Sequence, residues 1–140
     1  MENNSPFVFL VGVLIIAVLL VVVVMLTKKG AVQLDVNKYR LKWMTIEKQL
    51  DKSDLSRCAM AVLSADKLLD QALREKGVKG QTMGERMKTA QDVWTSANAV
   101  WGAHKLRNQI AHESDHHVTY DDARRAMSGF KQALKDVGAI

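Results

Sequence analysis

One cysteine and one proline stand among 140 residues, and aromatic side chains make up only 6%. A lone Cys58 excludes an internal disulfide and suits a reducing compartment. The single proline is Pro6, so nothing after it carries the residue that breaks helices. No sustained alternation of period two occurs, which argues against half-buried strands. No Gly-Lys-Ser/Thr phosphate loop is present either. Gly77 and Gly80 lie three apart without a preceding strand, and residues 77–81 read as a plain interhelical turn. Basic runs interleaved with aromatics, frequent on nucleic-acid surfaces, are missing, as are internal repeats and low-complexity segments. No Ser/His/Asp or Cys/His arrangement supports a nucleophile: Cys58 sits with Ala59 and Val62 in an apolar stripe, where a thiol packs.

What the chain does have is concentrated at the front. Residues 7–26 are twenty consecutive positions without charge or strong polarity. At about 1.5 Å per residue, a helix of that length spans roughly 30 Å, the thickness of a bilayer's hydrocarbon core. A cleavable signal peptide would begin basic, run for roughly 7–15 apolar residues and leave through a small-x-small exit. Here the front flank holds Glu2 and no Lys or Arg, and Met25-Leu26-Thr27-Lys28 offers no such exit, so the segment is expected to remain as an anchor. Lys28 and Lys29 follow at once, then Lys38, Arg40 and Lys42. The positive-inside rule therefore puts the N-terminus outside and the remainder in the cytoplasm, as at a bacterial inner membrane. Gly12 has no small residue four positions on, which makes the span a tether. The expected organisation is an extracytoplasmic stub (1–6), a transmembrane helix (7–27), a linker (28–34) and a cytoplasmic helical bundle (35–140). Residues 31–140 carry 18 Lys plus Arg against 14 Asp plus Glu, a mild excess that permits contact with anionic lipid or RNA without demanding either.

Helical periodicity runs through that remainder. Asp35 caps a stripe of Val36, Tyr39, Trp43, Ile46 and Leu50. Ser53 or Asp54 caps a second, of Leu55, Cys58, Val62, Ala65, Leu69 and Ala72, which stops near Gly77. Thr82 and Glu85 form a capping box for a short helix from Met83 to about Thr89. Thr119 opens the last helix, with Ala123, Ala126 or Met127, Phe130, Leu134 and Val137 on one face. The fold class is all-α: one N-terminal transmembrane helix and an antiparallel bundle of four to five helices.

Residues 92–117 hold two of the three Trp and all four His. On a helical wheel Val93, Trp94, Ala97, Val100, Trp101 and Ala111 share one arc, with Ala99, Ala103, Leu106 and Ile110 opposite. A helix apolar on two sides is expected to be the central one. His104 and Asn108 fall inside the first arc, four residues apart, and read with Trp101 as a mutually satisfied structural polar cluster, Arg107 pinning the turn that follows through Glu113 or Asp115.

Arg107-Asn108-Gln109-Ile110-Ala111-His112, an Arg-x4-His run on a helix of a small bundle, resembles the signature of the HEPN superfamily. The resemblance implies a compact helical bundle that often pairs as a homodimer. In active members it implies a metal-independent endoribonuclease site, in which Arg107 would hold phosphate, His112 would act as acid and base, and Asn108 would orient them. Many members are binding or assembly modules instead. Five residues apart on a helix is about 140°, so Arg107 and His112 converge only across a dimer or where the helix frays. His112-Glu113-Ser114-Asp115-His116 also matches His-Glu-x-x-His literally, the pattern of zinc hydrolases. Its polar middle and the cap that follows read as a loop, and a third ligand could be recruited from His104, His117 or Asp121, none of which the sequence designates.

The functional expectation is a membrane-anchored interaction or assembly module, bound to lipid through residues 7–26 and to itself or a protein partner through the bundle. The alternatives are the ribonuclease and, more remotely, the zinc hydrolase. No cofactor is implied.

Overall fold

The structure, a computed structural model, describes residues 5–27, 32–113, 115 and 117–140. Its helices are α1 (Ser5–Thr27), α2 (Val36–Glu47), α3 (Leu55–Glu75), α4 (Met83–Thr89), α5 (Ala97–His112) and α6 (Tyr120–Asp136), with one 3-10 turn at Gln91–Val93 between α4 and α5. The fold is all-α, as the periodicity requires. The chain divides into two compact units, one containing α1 and one beginning at Val32.

Within α1, Pro6–Met25 is 20 residues long, has a mean hydropathy of 3.6 and buries none of its length in protein. A contiguous exposed apolar surface of that extent is consistent with insertion into a lipid bilayer. The segment has the length and composition of a membrane anchor or signal helix.

The bundle's helix boundaries follow from short-range chemistry. Asp35, Asp54, Thr82 and Thr119 each accept a backbone N–H three residues on, at 3.0–3.2 Å. Each satisfies a donor that the first helical turn leaves orphaned. Ser53 is not a cap; its hydroxyl bonds Asp51 at 2.6 Å. At the other end of α3, Gly77 takes φ +74°, its N–H reaching Arg74 O at 2.8 Å while the Val78 N–H reaches Leu73 O at 3.0 Å. This double bond to the last turn needs a left-handed residue, which only glycine adopts at little cost.

α3 is the spine. It buries Cys58, Ala61, Val62, Ala65, Asp66, Leu68, Leu69, Ala72 and Leu73, and α2, α4, α5 and α6 all pack on it. α2 runs antiparallel to it, Lys38 facing Glu75 and Lys42 facing Gln71. α6 runs parallel to it. The Lys52 ammonium, just before α3, sits 5.2 Å from the ring of Tyr120 at the start of α6, and at the far ends Lys76 Nζ donates to Val137 O at 2.8 Å. α2 and α3 are thus antiparallel, while α3 and α6 lie side by side in the same sense.

The centrality expected of the 92–117 stretch belongs to α3 instead. α5 buries only Val100, Ala103 and His104, and Ala97, Ala99 and Ala111 are exposed. Alanine is the best helix former and a weak hydrophobe, so its presence on a second face marks helix propensity rather than burial. α5 also starts later than the periodicity suggested. Trp94 is extended, and its indole N–H is committed to Met87 O at 3.0 Å.

α5 meets α6 at very close range. A Cβ on Gly129 would stand 2.7 Å from Ala99 O, on rigid backbone. Gly129→Ala is expected to destabilise the bundle by about 1–2 kcal/mol net, although helix propensity alone would favour Ala by about 1 kcal/mol. A higher urea midpoint for the variant would refute this contact.

The start of α5 is tied to the end of α6 by Asp136, which accepts from Thr95 N at 2.9 Å, Thr95 Oγ1 at 2.6 Å and Gln132 Nε2 at 2.9 Å. Partial burial pushes this carboxyl's pKa up, but the three hydrogen bonds outweigh it and hold the group below the usual carboxylate range. Its stabilisation is therefore complete above that range and is lost as pH falls through the depressed folded value. Asp51, held down by Ser53, and Glu75, held down by Gln71, act over the same window. Melting temperature is expected to drop steeply below about pH 4, and Asp136→Asn to flatten part of that acid limb without moving the neutral plateau upward.

Candidate functional site

Asp66, Arg86 and His104 are the polar residues buried among the described ones. A buried charge without a partner is costly, so the partners define the site. Asp66 lies on α3 inside the apolar stripe, four residues after Val62 and three before Leu69. Its Oδ1 is 2.7 Å from His104 Nδ1 and its Oδ2 is 3.3 Å from Arg107 Nε. An ionised carboxylate only accepts, so Nδ1 is the ring nitrogen that donates to Asp66. Arg107 faces Asp66 as an ion pair without an aligned hydrogen bond from Nε, while its Nη1 donates to Asn108 Oδ1 at 2.9 Å.

One turn further along α3, Asp70 gathers a second centre. Its Oδ1 accepts from Arg86 Nε at 2.7 Å with Nη2 at 2.6 Å, and its Oδ2 pairs with Arg74 Nε at 2.9 Å. Arg86 Nη1 donates to Gly80 O at 2.6 Å, which fastens the loop between α3 and α4. Gly80 is irreplaceable there: it has φ +154°, and a Cβ would come within 2.7 Å of Arg86 N.

Both centres line one groove of about 720 Å³ between α3, α4 and α5. His104 contributes to its wall, and Nε2 stands 3.9 Å from where a Cβ on Gly84 would be.

The residues singled out in the sequence are distributed as follows. Arg107, Asn108 and His104 come together at this groove. Trp101 stands edge-on to His104, with ring centroids 6.2 Å apart, and is 38% exposed, at the margin of the cluster. Asn108 bonds Arg107 and not His104. His112 is the last residue of α5, exposed and outside the groove. Glu113 is extended and exposed, and His116 lies outside the described residues. Among the described residues no three His, Cys, Asp or Glu side chains are grouped to hold a metal. Asp66, Asp70 and Arg86 carry no motif; the readable signal was an acid at a core position of an apolar stripe.

No protein-family profile, curated protein or solved structure matches this chain. The class that fold and groove define is an all-helical protein with one N-terminal apolar helix and a packed helical bundle.

Proposed function

We propose that the chain is a single-pass membrane protein whose cytoplasmic bundle works by binding, with the α3–α4–α5 groove as its working surface. Buried Asp66 carries this reading. It takes up both His104 and Arg107, so the groove's polar groups are fixed by mutual charge and hydrogen bonding, the pre-organisation that recognition requires. The basic flank of α1 favours the bundle inside, and the uncharged stretch of α1 favours a lipid tether.

A HEPN-type ribonuclease would need Arg107 and His112 on one phosphate. Within a single chain Arg107 is engaged with Asp66, and His112 projects from the helix end about 140° around the axis. Such a site would have to be assembled by two copies. The full chain in detergent, incubated with structured RNA in EDTA, is expected to leave it intact, and carbonate-washed membranes are expected to retain the protein. Cleavage abolished by both Arg107→Ala and His112→Ala would replace the binding reading with the ribonuclease. Release by carbonate would remove the membrane tether.

A further inference from the structure

We propose that the groove between α3, α4 and α5 binds a phosphate monoester. The proposal rests on this groove being the working surface, and it names the ligand. Four basic side chains line the groove (Lys67, Arg74, Arg86 and Arg107) against two carboxylates, Asp66 and Asp70. Arginine and lysine thus exceed aspartate in the lining by two. A phosphate monoester carries about −1.5 to −2 at pH 7, while a phosphodiester or a carboxylate carries one negative charge. The dianion is the match.

Hydrogen bonding points the same way. Every carboxylate oxygen of the groove already has a donor or a cation beside it: Asp66 has His104 and Arg107, and Asp70 has Arg86 and Arg74. The Asn108 carbonyl oxygen is taken by Arg107. Donors are in surplus. Among the described residues Arg107 Nε is buried without a hydrogen-bond acceptor, and neither Lys67 Nζ nor the Arg74 Nη atoms have one. An entering ligand must therefore bring acceptors, and a phosphoryl group brings three on a compact tetrahedron. Lys67, Asp70 and Arg74 share a face of α3, at spacings of three and four, so the Lys67 ammonium and the outer Arg74 nitrogens flank the Asp70 centre on a rigid element. Arg86 is buried, with each of its three nitrogens already engaged, and it supplies charge to the floor.

The same phosphoryl chemistry occurs on a soluble metabolite or on a lipid headgroup such as phosphatidic acid. The test uses the full chain in phosphatidylcholine nanodiscs at pH 7, titrated calorimetrically with inorganic phosphate. Saturable binding, at least tenfold tighter than for monoanionic dimethyl phosphate, is expected. Arg107→Gln should weaken it tenfold or more, and so should Lys67→Gln, which changes an exposed residue and leaves the buried pairs intact. Lys105→Gln, on α5 outside the groove lining, should leave it unchanged. Competition by phosphatidic acid in the nanodisc supports a lipid source, and its absence a soluble phosphate monoester. Failure of phosphate to saturate, equal affinity for dimethyl phosphate, or unchanged affinity in both Lys67→Gln and Arg107→Gln overturns the proposal. Those failures leave the RNA and carbonate results standing, so the broader reading is judged separately.

Discussion

Arg86→Met is expected to lower the stability of the bundle by about 3–4 kcal/mol, a large share of what a domain of this size possesses. Methionine roughly preserves the buried volume, so the loss isolates charge and hydrogen bonding. Asp70 would keep only Arg74, whose side chain is 64% exposed and screened by water, while Gly80 O would lose its donor. Urea unfolding of the full chain in detergent reads the effect directly, because Trp43, Trp94 and Trp101 all report on the bundle. In an Asp70→Asn background the same substitution should cost about 2 kcal/mol less, the coupling of the pair. A loss under about 1 kcal/mol in the parent background would mean that the α3–α4 connection holds without this arginine.

Asp66→Ala is expected to cost about 3 kcal/mol, since one deletion strands two groups. His104 would lose its acceptor inside the core, and Arg107 would lose its counter-charge at the groove edge. Arg107 is one-third exposed and recovers part of its loss from water, which keeps the figure at the lower end. Asp66→Asn separates the two roles. The amide has one oxygen, which Arg107 claims, and turns its NH₂ to His104 Nδ1. That nitrogen must then accept, and the imidazole proton moves to Nε2. Nitrogen-15 chemical shifts of the His104 ring should show an Nδ1–H tautomer in the parent and Nε2–H in Asp66→Asn. An identical tautomer in both would sink the assignment of Asp66 as the group that orients this ring.

The helix ends were the most legible part of the molecule, because caps are local. Asp35, Asp54, Thr82 and Thr119 announce themselves by their own side chains and the residue three on. Even so, Glu85 reaches back to Gln81 N at 2.6 Å rather than to Thr82 N, a one-residue displacement that spacing alone does not resolve. The stripe of α6 was legible for the same reason: Ala123, Ala126, Met127, Phe130, Leu134 and Val137 are all buried. Which helix lies at the centre was not legible, since Ala serves both helix propensity and packing, and α5 is rich in it. The site was half visible. His104, Arg107 and Asn108 attract notice on one short segment. Their counter-charges come from 38 and more residues earlier, and only the fold brings Asp66 to His104. An acid within a run of Val62, Ala65 and Leu69 was the clue to a partner somewhere opposite.

The same-direction pairing of α3 with α6 bears on biosynthesis. The Lys76–Val137 link joins positions 61 apart, and the face of α3 that packs against α6 has no local substitute. A nascent chain carries an incomplete interior until its final helix leaves the ribosome. During that interval the greasy flank of α3 is open to chaperones and to neighbouring nascent chains. Chains truncated before Tyr120 should accordingly be degraded, whereas the released full-length chain should persist.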